Sequence, residues 1–102
     1  MAIIGTFTKK DGKFNGKIST LALNVGVGIL PNTNAGGNEP AYRVFLGKFE
    51  AGAAWEKTSE TTAREYLSVK LDDPTFPAPI YANLIEQEHG TYALLWSRPQ
   101  AR

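Results

Sequence analysis

This sequence predicts a single, mainly antiparallel β domain of about seven short strands, and three observations carry the prediction. Isoleucine, valine, threonine and aromatic residues fill the segments between clusters of Gly, Asn, Asp and Pro, the composition of strands punctuated by turns. Apolar and polar residues alternate with a period of two, and apolar spacing at three and four residues is scarce, so no long helix is expected. The chain has 102 residues, close to the modal domain size and too short for two separate cores. Strands joined by hairpins fit a sandwich, a strongly curved sheet or a small barrel, and periodicity leaves the three open.

The first strand is expected over Ile3 to Lys9 and closes at Lys10-Asp11-Gly12-Lys13, where Asp-Gly supplies the positive backbone angles of a tight hairpin. A second runs from Phe14 to Leu23. Its Phe14, Gly16, Ile18 and Thr20 share one face, and Lys13 and Lys17 on the other should meet water. From Leu21 onward the apolar residues occupy odd positions (Leu21, Leu23, Val25, Val27, Ile29). The buried parity therefore switches, and a bulge or break is expected near Thr20. Gly26 and Gly28 suggest close backbone approach, and Pro31 ends the strand.

Residues Pro31 to Pro40 are rich in Asn, Gly and Pro, bury little apolar area and predict a mobile surface loop. Ala41 to Leu46 and Lys48 to Lys57 read as strands separated near Gly47, followed by a polar connection over Thr58 to Arg64. Glu65 to Leu71 carries the clearest alternation: Leu67, Val69 and Leu71 should face the core, and Tyr66, Ser68 and Lys70 should lie outside it. Asp72 to Pro79 holds three prolines without amide donors and is a link, not a central strand. Ile80 to Ile85 and Thr91 to Ser97 then form a last hairpin about a turn at Glu86 to Gly90.

Composition excludes several classes of function. Apolar residues make up 42% and charged residues 21%, ordinary for a globular chain. The apolar runs fall far short of the roughly 20 residues of a spanning helix, so no membrane association is expected. The start lacks a basic region and a long apolar stretch, so no secretory signal is read and the expected compartment is the cytoplasm. There is no cysteine, which removes disulfides, thiolate metal sites and a cysteine nucleophile. Net charge is +1 but uneven: residues 1–48 carry +4 and residues 49–102 carry −3, so the folded surface is expected to hold a basic patch.

Catalytic signals are weak. His89 is the single histidine and stands between Glu88 and Gly90, in a predicted turn, where an exposed polar group is the simpler reading than a general base. Asp72 and Asp73 are adjacent carboxylates, but neighbours at a strand end point apart, and Asp-Asp-Pro shapes turns. The glycine pairs lack the lysine and helix start of a phosphate loop. No catalytic residue, metal site or cofactor is expected, and the chain reads as a binding module and not an enzyme.

Aromatic and basic residues interleaved on strands give a more specific signal: Arg43 with Phe45, Trp55 with Lys57, Tyr66 with Lys70, and Trp96 with Arg98. Rings stack on unpaired bases while cations neutralise phosphates, which is the chemistry of single-strand binding. Taken singly, Trp55 and Trp96 read first as core residues. Arg43, Phe45, Trp55, Lys57, Tyr66 and Lys70 form the candidate nucleic-acid-binding set. The same exposed rings also suit a protein partner or a homo-oligomer.

Long strings across the chain resemble a known family. They are Ile4-Gly5-Thr6-Phe7, Tyr42-Arg43-Val44-Phe45, Gly52 through Thr58, Tyr66 through Pro74, Phe76 through Leu84, and Leu95-Trp96-Ser97-Arg98-Pro99. Together they are similar to the bacterial proteins grouped as domain of unknown function 736 over nearly the whole chain, and the loop from Pro31 to Pro40 is the main unmatched stretch. The resemblance implies a protein carried on plasmids or integrative conjugative elements, and it brings no catalytic residues. Conjugative transfer exposes single-stranded DNA, which associates the family with that ligand. The string from Trp55 through Leu71 also resembles the strand usage of small phage and plasmid single-strand-binding proteins.

Overall fold

Asp11 and Gly12 adopt φ angles of 55° and 78°, the left-handed pair that a two-residue hairpin turn requires. They join β1 (Ala2–Lys10) to β2 (Lys13–Ser19), and six further strands follow: β3 (Asn24–Pro31), β4 (Tyr42–Leu46), β5 (Phe49–Thr58), β6 (Glu65–Leu71), β7 (Ile80–Glu88) and β8 (Thr91–Trp96). The computed structural model describes residues 2–21, 23–33, 39–88 and 90–96. Each strand pairs antiparallel with the next, and β8 returns to β1, so the sheet closes as an up-and-down barrel in the order β1 to β8. The closing seam aligns Thr6 with Ala93 and Phe7 with Tyr92, with a bulge between Ile3 and Gly5. Closure leaves no strand edge unpaired.

The fold class is the expected one, and of the three architectures the chain adopts the barrel. It has eight strands where about seven were expected, because the parity switch at Thr20 marks a full chain reversal. There Thr20 N donates to the Leu23 carbonyl at 2.7 Å, and Leu23 N donates to Thr20 Oγ1 at 3.1 Å. Leu21 sits at the tip of that turn, fully exposed, which corrects the expectation that it opens the buried face.

An eight-stranded barrel encloses just enough space for side chains to fill. Ile18, Ile29, Val44, Val69, Leu71, Leu84 and Leu94 are almost wholly buried, with Ala54 and Ala82 supplying small neighbours. The expected inward face of β6 is observed: Leu67, Val69 and Leu71 are buried, and Tyr66, Ser68 and Lys70 are half-buried between them. Lys13 and Lys17 are exposed, as expected. The buried apolar side chains fill the interior, and Lys13, Lys17, Arg43 and Lys57 are exposed on the outer face.

The expected close approach at Gly26 and Gly28 is not found: a Cβ would meet nothing within 4 Å at the first and only Asn15 Oδ1 at 4.0 Å at the second. The approach occurs at Gly16 instead, where a Cβ would lie 2.1 Å from the Thr6 carbonyl oxygen and 2.6 Å from Cγ of Phe7. Gly16 lets the large Phe7 ring lie across the β1–β2 pair at 2% exposure.

Asn32 N donates to the Ala41 carbonyl at 2.8 Å, and Asn32 Nδ2 to the Pro40 carbonyl at 3.0 Å, which closes the base of the β3–β4 connection. The rest of the loop expected over 31–40 lies at 34–38, outside the described residues. Among the described residues no helix is long and apolar enough to cross a membrane.

Candidate functional site

Parity fixes where each candidate side chain goes. In β4, Val44 points into the barrel, so Arg43 and Phe45 point out. Between Val44 and Phe45 the β4–β5 register slips, with Val44 opposite Gly52 and Phe45 opposite Glu50. The extra residue, Ala51, resets the alternation of β5. From there Ala54 is buried, and Trp55 and Lys57 share the outward parity. Trp55 is half-buried on the outer wall, which corrects its reading as a core residue, whereas Trp96 does pack against the core.

All six candidates therefore lie on the outer wall of three adjacent strands, β4, β5 and β6. Cross-strand pairing arranges them in rows: Arg43 is opposite Ala53, Ala53 opposite Lys70 and Lys70 opposite Tyr81. Beside that row, Trp55 is opposite Ser68 and Ser68 opposite Asn83. Lys57 is opposite Tyr66 in a third. Strands lie roughly 4.8 Å apart, so cations and rings alternate over distances a nucleotide can span.

The cations lean on rings. The Arg43 guanidinium lies 5.6 Å from the Phe45 ring centroid and Lys70 Nζ lies 6.0 Å from that of Tyr81, within reach of cation–π attraction. Arg43 is also spoken for electrostatically. Its Nε donates to Glu50 Oε2 at 2.8 Å and its second arm pairs with Glu50 Oε1, both side chains being exposed. Those hydrogen bonds and the attraction between the two charges hold Glu50 below the usual carboxylate range and push Arg43 up. Among the outward described positions of β4 to β6, Glu50 is the one acid.

Three carboxylates instead take inward parity at one mouth of the barrel. Glu56, Glu65 and Glu86 line a cavity of 170 Å³ with Phe14, Tyr42, Tyr92 and Lys9. Phe14 meets Tyr42 and Tyr92 edge to face at 5.7 and 4.9 Å, and Lys9 Nζ lies 5.5 Å from its ring centroid. Burial first, and then Glu56, pushes the Tyr42 hydroxyl up; burial, then Glu86 and Tyr42, does the same to Tyr92. Among the described residues no three His, Asp or Glu side chains converge to hold a metal ion.

Asp73 fits the turn reading: its carboxylate accepts from Thr75 N at 3.0 Å and from Thr75 Oγ1, and its carbonyl accepts from Phe76 N at 2.8 Å. Hydrogen bonds from Thr75 hold that carboxyl below its ordinary range. His89 and Arg98 lie outside the described residues.

Sequence reasoning missed Tyr81, 59% exposed at the end of the Arg43 row, and Asn83, exposed in the Trp55 row. It also missed Arg64, which reaches from the β5–β6 turn to β7, where Nη2 donates to the Glu86 carbonyl at 3.1 Å. The Ile80–Glu88 alternation, with Ala82 and Leu84 buried, was the signal for the two β7 residues.

The fold and this wall define a small closed β-barrel with a basic and aromatic outer face. The profile of the family described as protein of unknown function (DUF736) matches residues 3–99, and the chain belongs to that family. No curated protein and no solved structure matches it.

Proposed function

We propose that this chain is a non-catalytic binding module that holds single-stranded nucleic acid on the outer wall of β4 to β7. The observation that carries the reading is the row pattern, in which Arg43, Lys57 and Lys70 alternate with Phe45, Trp55, Tyr66 and Tyr81 on one continuous surface. Rings offer stacking faces to any base and the cations meet phosphates, which requires no fixed sequence. The wall of β1 and β2 makes an instructive contrast. Its outward Lys13 and Lys17 stand among Thr6, Thr8 and Asn15 without a ring, so it can attract phosphate and cannot stack bases. The acidic mouth would repel the backbone and confine it to the wall. A role on mobile genetic elements supplies a setting in which such strands are exposed.

The test is fluorescence anisotropy of a labelled single-stranded oligonucleotide at low and high salt, for the native chain and for a Tyr66→Ala, Lys70→Ala double variant. Binding at low salt that weakens with salt, and that the double variant loses, supports the reading. Absence of binding at low salt overturns it.

One observation favours a second reading, a protein-interaction module. Phe49 is 75% exposed beside Leu46 at the β4–β5 turn, and an exposed ring of that kind suits a protein partner or a second copy. Concentration-dependent association that Phe49→Ser abolishes, with no oligonucleotide binding, would favour it.

A further inference from the structure

The outer wall is not uniform. Between the β5–β6 turn and strands β6 and β7 lies a hollow of 320 Å³, bordered by Tyr66, Asn83, Ile85, Glu65 and Arg64 together with the hydroxyls of that turn. We propose that this hollow is a nucleobase subsite selective for adenine and cytosine, which present an amino group at N6 or N4, over thymine and uracil, which present the O4 carbonyl there. The inference rests on the nucleic-acid reading and adds a preference to it.

The size sets the ligand. The hollow falls at the small end of the roughly 300 to 1,000 Å³ of ligand pockets, room for one base and not for a peptide. Its walls set the chemistry. Tyr66 and Ile85 supply an aromatic and an apolar surface for a planar ring to stack against. Asn83 is exposed and makes no side-chain hydrogen bond among the described residues. Its amide can therefore donate and accept at a base edge at once, the pairing that suits adenine N6 and N7.

Glu65, at the first position of β6, borders this hollow as well as the mouth, and its carboxylate decides between bases. A carboxylate only accepts, so it rewards the amino donors of adenine N6 and cytosine N4 and meets the O4 carbonyl of thymine or uracil with two acceptors face to face. Arg64 stands at the lip with its guanidinium anchored on the Glu86 carbonyl at 3.1 Å, and its remaining donors are placed for the phosphate of the bound nucleotide.

The test compares labelled oligo-dC, oligo-dA and oligo-dT of equal length by anisotropy at low salt, for the native chain, Asn83→Ala and Glu65→Gln. Both positions are exposed, and circular dichroism confirms that the variants fold. The native chain should bind oligo-dC and oligo-dA about fivefold more tightly than oligo-dT, the scale of one good base-edge contact. Asn83→Ala should weaken oligo-dA and oligo-dC towards oligo-dT while leaving oligo-dT unchanged. Glu65→Gln, whose amide can donate to O4, should narrow the ratio by tightening oligo-dT most. Equal affinity for the three in the native chain, or a preference that survives both variants, overturns the subsite and leaves the binding wall standing. Failure of every oligonucleotide to bind overturns the wall and the subsite together.

Discussion

Gly16 and Tyr42 show how single positions constrain this molecule. A methyl group at Gly16 would occupy space held by the Thr6 carbonyl and the Phe7 ring, so Gly16→Ala must shift either the backbone of β1 or a core aromatic residue. Overpacking of that kind costs about 1–3 kcal/mol, and thermal denaturation should show a lower Tm. Tyr42 and Tyr92 should ionise above the ordinary tyrosine range, because burial and nearby glutamates oppose the phenolate. Their pKa values are raised by folding. The stability they reflect is whole below the unfolded-state pKa of about 10 and is lost as pH rises through the folded values. A spectrophotometric titration at alkaline pH should show their late ionisation, and Glu56→Gln should move Tyr42 part of the way back, burial being the larger cause.

At the scale of the element, legibility followed the regularity of each strand. Glu65–Leu71 could be read because every second residue is buried without interruption. The break at Thr20 could be read as a change of parity, though not as a reversal, since a bulge and a turn both shift the count by one. Trp55 could not be assigned a face from Phe49 onward, because the slip at Ala51 lies between them and only the pairing with β4 reveals it. The β5–β6 turn stores a small strain at Ala63, whose φ is 57°. Glycine enters that region freely, so Ala63→Gly should leave stability unchanged or raise it by up to about 1 kcal/mol, as chemical denaturation would report. On β4 and β5, the Arg43–Glu50 pair withholds a cation from the wall. Glu50→Gln should tighten binding of a single-stranded oligonucleotide and steepen its salt dependence by roughly one further phosphate contact.

For the whole molecule, the fold class was visible in composition and alternation, whereas closure was not. Closure depends on β1 meeting β8 across nearly the full chain, and no local pattern encodes which distant strands pair. The same holds for the site. Arg43, Trp55 and Lys70 were identifiable by residue type, but their assembly into one wall is a product of register, and register brings in Tyr81 and Asn83 from a strand that carried no basic residue to mark it. The charge asymmetry seen along the chain, +4 against −3, is re-sorted by the barrel. Inward parity gathers Glu56, Glu65 and Glu86 at one mouth beside Lys9, and outward parity leaves Lys13, Lys17, Arg43, Lys57 and Lys70 on the walls.

The central claim is that one wall, and not basic charge in general, holds the ligand. Backbone and side-chain chemical shifts of the labelled protein, followed during titration with a short single-stranded oligonucleotide, test it most directly. The account predicts changes at Arg43, Trp55, Lys57, Tyr66, Lys70 and Tyr81 with little response at Lys13 and Lys17. Changes centred on Lys13 and Lys17, or on the mouth around Tyr42 and Tyr92, would contradict it.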